Sequence, residues 1–331
     1  MAGDVLSDLL RTVRLTGAAF FDVVGKDPWV AEQPAREHVL PKILSGAGHL
    51  IAYHVVTEGR CYASLVDGPS FAVEAGEVVV FTHGDQHVMS SSPGMRAEPV
   101  TAAAFDTIAA GPVPYFVSYG EGASSTKLVC GFLACDASPF NPLIGSLPRV
   151  IKGGDPKARD AGWIGQFIRV AVAESAGKRA GSESVLAKLS ELMFIEVVRQ
   201  YLETLPAEQA GWLAGLRDPW VGKALSLLHG APAHGWTIEE LAKQVGQSRS
   251  VLAERFTFLV GTPPLQYLTK WRMQIASDLL SGGNANIAQI AAASGYESEA
   301  AFSRAFKKII GMPPSIWRRQ RNPGPDAFRP C

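Results

Sequence analysis

Residues 237–261 read TIEELAKQVGQSRSVLAERFTFLVG, and residues 286–317 read NIAQIAAASGYESEAAFSRAFKKIIGMPPSIW. The two segments share one grammar. Each opens with a short apolar helix, turns at a glycine, re-enters through polar residues and continues as a second amphipathic helix. In the first, Ile238, Leu241 and Ala242 face inward, Gly246 makes the turn, and Leu252, Phe256 and Leu259 form an apolar stripe. In the second, Ile287, Ile290 and Ala291 face inward, Gly295 turns, and Phe302, Phe306 and Ile309 form the stripe. These spacings put each set on one helix face. A glycine at the interhelical turn supplies positive φ without a Cβ clash. The expectation is two helix-turn-helix units joined by a helix over 265–280, with a core stripe of Leu265, Leu268, Ile275 and Leu279 and with Trp271 packed as well.

Charge agrees with this reading. The 331-residue chain carries 31 Lys+Arg and 31 Asp+Glu, and its zero net charge hides an asymmetry. From residue 219 onward there are 13 basic and 7 acidic residues, leaving 18 and 24 for the remainder. A basic C-terminal segment on an acidic body suits nucleic-acid binding by that segment. No apolar run approaches the roughly 18 residues of a membrane helix. MAGDVLSDLL at 1–10 lacks the basic and apolar regions of a signal peptide. Four cysteines in so long a chain are no disulfide scaffold, so a reduced, cytoplasmic protein is expected.

The N-terminal part has another texture. After an amphipathic helix over 4–13, short β-rich runs alternate with Gly/Pro/Asp turns at 18–24, 38–43, 49–56, 61–66, 71–73, 77–82, 114–119 and 127–133. Strands so closely spaced predict an antiparallel sandwich or barrel. Residues 139–149 read as a loop, then 161–174 and 183–205 as helices. The second helix is apolar over more than one face, hence buried on two sides, against the barrel and a second subunit. The fold class is α+β in two domains: a barrel with helices over 1–205, a hinge at 206–218, an all-α double helix-turn-helix over 219–320 and a disordered tail at 321–331.

The C-terminal segment resembles the DNA-binding module of the AraC/XylS family of transcription regulators. The resemblance is carried by SRSVLAERF at 248–256, GYES at 295–298, AFSRAFK at 301–307, Gly311, Pro313-Pro314 and Trp317-Arg318. Trp317 stands where the family commonly has tyrosine. GEVVVFTHGDQH at 76–87 is similar to the second cupin motif, with Thr82 replacing its proline and Gly84 and His87 in place. Gly48 and His54 fit the opening of the first cupin motif. Val56 stands where a second histidine would bind metal, which weighs against the usual cupin enzyme site. The resemblance implies a cupin-like antiparallel β-barrel that senses a signal and supports dimerisation. It also implies double-stranded DNA, a homodimer and RNA polymerase as partners. The competing class is a metal-dependent cupin enzyme fused to a DNA module.

The second helix of each unit enters the major groove in helix-turn-helix proteins. With Phe302 and Phe306 inward, Arg304 is the base-reading candidate, because its planar fork matches guanine O6 and N7. Glu299 and Ser303 flank it, and Lys307 and Lys308 are expected on phosphates. In the first unit Ser250 and Glu254 face outward, with Arg249 and Arg255 as phosphate ligands. Arg318, Arg319 and Arg321 add backbone charge. The two units are expected to contribute unequally.

For the barrel, three signals compete. His83, His87, Cys130 and Cys135 form a two-His, two-Cys set of the kind zinc takes. A gap of five in one strand puts Cys130 and Cys135 on opposite faces unless the chain turns. The same cysteines also read as inert core thiols or as a redox switch, which needs a thiolate of lowered pKa; Cys61 beside Arg60 is its other candidate. The third signal is a small organic molecule in a pocket lined by Tyr53, His54, Phe81 and Phe132.

Overall fold

The computed structural model describes residues 4–12, 15–43, 48–101, 113–135, 140–155, 162–177, 179–206, 210–282 and 285–321. The tail expected to be disordered lies outside them beyond Arg321. The chain divides into a barrel unit, residues 15–135 and 147–204, and a helical unit, residues 1–14, 136–146 and 205–331. Helix α1 (Val5–Thr12) thus groups with the helical unit.

The barrel unit holds β1 (Thr16–Lys26), β2 (Val30–Gln33), α2 (Arg36–Ile43), β3 (His49–Glu58), β4 (Arg60–Leu65), β5 (Phe71–Glu74), β6 (Glu77–Phe81), β7 (His87–Ser90), β8 (Tyr115–Tyr119), β9 (Ser125–Cys135) and β10 (Val150–Gly154). A six-stranded sheet of order β10-β6-β3-β9-β1-β8 faces a four-stranded sheet of order β2-β7-β4-β5. Every pairing is antiparallel except β1 with β8, which is parallel. The core lies between the sheets, with Leu50, Ala52, Phe81, Leu128 and Phe132 from one and Cys61, Ala63, Val73 and Met89 from the other. Strand β3 is apolar on both faces, because its outward residues Ile51, Tyr53 and Val55 are also buried. That is why HLIAYHVV shows no polar alternation. Helices α4 (Trp163–Gly177) and α5 (Ser182–Thr204) cover the six-stranded sheet from outside. There the Tyr53 hydroxyl meets Ser190 Oγ at 2.6 Å.

Three details depart from the sequence reading. The strand expected at 38–43 is helix α2; an apolar run this short reads equally as either element, and Val39 is its buried anchor. Strands β2, β7 and β10 were not expected, being only four or five residues long. The loop expected at 139–149 contains a helical turn, α3 (Pro142–Ser146), within the helical unit.

The helical unit continues with α6 (Trp212–Arg217), α7 (Pro219–Gly230), α8 (Ile238–Val245), α9 (Arg249–Val260), α10 (Pro264–Gly282), α11 (Ile287–Ala293), α12 (Glu299–Ile310) and α13 (Pro314–Arg321). The paired helices start at side-chain caps: Thr237, Ser248, Asn286 and Ser298 each accept a backbone N–H, and Asn286 closes a capping box with Gln289. Each such cap contributes about 1 kcal/mol. Phe302, Phe306 and Trp317 are buried with Met273, Leu280 and Ile290 in the second unit's core. Ile309, expected in that stripe, is 40% exposed, and Ile310 packs instead.

Two larger corrections follow from α10 and α6. In α10 the buried side chains include Tyr267, Leu268, Trp271, Met273, Gln274 and Leu280, whereas Leu265 is 38% exposed. The helix is buried on two faces because it packs on the helices of both helix-turn-helix segments, so no single stripe describes it. The segment expected as a hinge is packed where it is described. Trp212 is 2% exposed, and its Nε1–H donates to the Tyr267 hydroxyl at 2.9 Å. The hydroxyl also hydrogen-bonds His229 Nε2 at 2.7 Å, and burial pushes the His229 pKa down to about 3.

Candidate nucleic-acid interface and barrel cavity

The two outward helices are armed very differently. On α12, Glu299, Arg304, Lys307 and Lys308 are exposed and Ser303 is half-buried. Arg304, Lys307 and Lys308 form no ion pair among the described residues, so their charge is available to an external anion. On α9 the cations are spent internally. Arg249 binds Glu239 at 2.8 Å. Arg255 binds Asp218 at 2.5 Å and lies 5.4 Å over the Trp220 ring. Asp218 is buried and also caps α7 through the Trp220 and Val221 amides, so Arg255 neutralises a buried charge. Arg255, expected on a phosphate, is thus engaged within the chain. Ser250 hydrogen-bonds Ser248, and Glu254 is exposed beside Val251 and Phe258. Arg318, another expected phosphate ligand, donates to the Ala285 carbonyl at 2.6 Å. Arg321 lies 4.7 Å over Trp317.

In the barrel the expected zinc quartet does not assemble. Strand β9 runs unbroken through both cysteines, so Cys130 and Cys135 take opposite faces. Cys130 pairs across the strands with His54, and Cys135 with His49. His83 turns away to Thr82 Oγ1 at 2.8 Å and sits edge-on to His49. Among the described residues no three His, Cys, Asp or Glu side chains are placed to hold a metal.

What forms instead is a directed hydrogen-bond relay. His87 Nδ1 lies 2.8 Å from the Asp85 carbonyl, which can only accept, so Nδ1 carries the proton. Burial pushes the His87 pKa down to about 4, leaving Nε2 bare. His54 Nε2, 2.9 Å away, must then donate to it. Desolvation holds His54 well below the ordinary histidine range too, so its Nδ1 is bare and accepts from the Cys130 thiol at 3.0 Å. Both imidazole lone pairs are thereby occupied. Burial pushes the Cys130 thiol well up and Cys61 up to about 12, the opposite of what a thiolate switch requires.

The relay borders a cavity of about 60 Å³ whose wall includes Phe21, Trp29, Gln33, Met89, Cys130 and Phe132. Of the four expected lining residues, His54 and Phe132 reach it. Tyr53 does not, because it neighbours His54 on one strand and so points to the other face. Phe81 does not line it either; its ring stacks on His87 at 3.8 Å within the core. Trp29 and Gln33 escaped the sequence reading because β2 is short. The alternation Trp29, Ala31, Gln33 was its one visible signal.

Comparison with known proteins agrees with this arrangement. Residues 4–203 match a family model described as cupin, and residues 241–320 match one described as a helix-turn-helix domain. An AraC-like transcription regulator of Streptomyces antibioticus is 33% identical over 87% of this chain and 96% of its own length. One of Streptomyces lividans is 31% identical over 86% and 94%. The crystal structure of an AraC-type regulator from Chromobacterium violaceum covers 32% of this chain and 96% of that one at 31% identity, with a TM-score of 0.30. No described helix is long and apolar enough to cross a membrane. With a cupin match on the barrel, a helix-turn-helix match on the helical unit and relatives that run nearly its whole length, the chain belongs to the AraC-like DNA-binding transcription regulators.

Proposed function

We propose that α12 is the principal DNA reader of this regulator, that α9 mainly positions it, and that the barrel is a non-catalytic sensor of a small organic signal. The observation that carries this reading is the contrast between free cations on α12 and internally paired ones on α9. Arg304 reads guanine, Lys307 and Lys308 hold phosphates, and the two units lie about one helical turn apart on one face of the duplex. The chain works in the cytoplasm as a homodimer that acts on RNA polymerase. Leu192 and Val185, exposed by 52% and 39% on one side of α5, supply apolar surface for a second copy. Against the alternative of a metal-dependent cupin enzyme, the relay occupies the imidazole lone pairs that a metal would need.

The test is binding of the full chain to an operator duplex over a salt series. Each phosphate contact contributes about 0.9 to the slope of log K against log salt. Lys307→Ala and Lys308→Ala should each lower the slope by about 1, and Arg255→Ala should leave it unchanged. The reverse pattern sinks the reading.

A further inference from the structure

The cavity wall contains two donors without partners. Trp29 is 2% exposed, and its Nε1–H meets no acceptor among the described residues. The Gln33 amide nitrogen is likewise buried and unpartnered. Both residues line the cavity. Trp271 and Trp317 also bury indole N–H groups without acceptors, but neither borders this space. The position of Trp29 is built for it. Phe21, Val23 and Gly25 follow one another on one face of β1, and the indole lies where a Gly25 side chain would be, 2.3 Å from that Cβ position. Tyr119 stacks on the ring at 6.4 Å.

The remaining polar groups of the wall are mostly committed. The relay uses both nitrogens of His54 and His87. Glu32 accepts from Arg96 twice, from Gln86 and from the Ala97 amide. Tyr119 brings a hydroxyl. Among the described residues no lysine or arginine lines the cavity, so a carboxylate would enter without a counter-charge from them, beside Glu32. Nor do these residues offer an ammonium a free carboxylate. The rest of the wall is apolar, including Val23, Val117 and Leu128. At about 60 Å³ the cavity is well under the roughly 150 Å³ that accepts benzene, so it fits a molecule of few heavy atoms.

We infer that the barrel binds a small uncharged carbonyl compound, a short-chain ketone, aldehyde or ester, whose oxygen accepts from Trp29 Nε1–H, with the Gln33 amide as a second donor on the same wall. This inference rests on the reading of the barrel as the sensor. The carbonyl supplies an acceptor that the wall lacks, and its alkyl arms meet the apolar surface.

The test uses the full chain and acetone, with acetate and isopropylammonium as charged controls of the same shape. The chain has seven tryptophans, so the indole N–H signals can be followed singly in a nitrogen–proton correlation spectrum. Acetone should move the Trp29 signal saturably downfield, and the charged controls should leave it in place. Trp29→Phe, followed by the heat of binding because it lacks that signal, should weaken acetone binding about fivefold to tenfold, the worth of one hydrogen bond. Gln33→Met, which removes the second donor at similar length, keeps the Trp29 signal as its reporter and should weaken binding as well. A Trp29 signal unmoved by acetone, or moved by acetate instead, overturns the inference while leaving a different signal for the sensor. Binding at Trp29 with no change in DNA affinity refutes the sensor reading and leaves the site's chemistry standing.

Discussion

Alanine at Gly295 should cost about twice what it costs at Gly246, although the two glycines occupy equivalent turns. Both are left-handed, with φ of +78° at Gly246 and +75° at Gly295. An L-residue in that conformation loses about 1–2 kcal/mol. At Gly246 nothing lies within 4 Å of an added Cβ, so the loss ends there. At Gly295 the Cβ would sit 2.8 Å from the Ala233 Cα and carbonyl oxygen and 2.9 Å from the Arg272 guanidinium carbon. The guanidinium cannot swing aside freely, because it donates to the Pro232 and His234 carbonyls. Overpacking against such fixed atoms adds about 1–3 kcal/mol. The total is about 2–5 kcal/mol at Gly295 against about 1–2 at Gly246. Urea unfolding of the helical unit, followed by tryptophan fluorescence, reads the difference. Gly295→Ala should also weaken DNA binding where the protein is still folded, since α12 begins at Glu299, just beyond the displaced turn. Equal midpoints, or a larger loss at Gly246, would refute the argument.

Arg304→Ala should lose about 1–3 kcal/mol of operator affinity and relax preference at one base pair, measured by competition with single-base operator variants; a uniform loss across all variants would make Arg304 a phosphate ligand. Acid should destabilise the barrel. The unfolded chain takes up histidine protons near pH 6.5 whereas folded His87 waits until about 4, so stability is full above 6.5 and falls as pH drops through that window. The His87 share is about 3 kcal/mol, and urea midpoints of the barrel transition that stay flat from neutral pH to about 4 would contradict it. Leu192→Glu should shift the chain from dimer to monomer in sedimentation, with the barrel still folded; an unchanged mass would move the interface elsewhere.

The helical half was readable because its information is local. Leu252 and Phe256, or Phe302 and Phe306, announce a helix face within two turns, and Gly246 and Gly295 mark the turns between. The polar partners were less visible, because they lie far apart in sequence. Arg255 reads as a free cation until Asp218, 37 residues earlier, is seen beneath it. The barrel site is hidden for the same reason. His83 and His87 look like a ligand pair by spacing, yet a turn separates them, and His87 meets His54 from the opposite sheet. Tyr53 and His54 are adjacent in a strand, so alternation alone keeps them from lining one cavity together. Trp29 and Gln33 were not legible, since a four-residue strand carries too little period to stand out.

The most direct test of the account is selection of duplex DNA from a random pool by the full-length protein, repeated with Arg304→Ala. The account predicts enriched sequences with two blocks about one helical turn apart, the stricter block losing its preference in the variant. No enrichment, or equal affinity for selected and random duplexes, would contradict it.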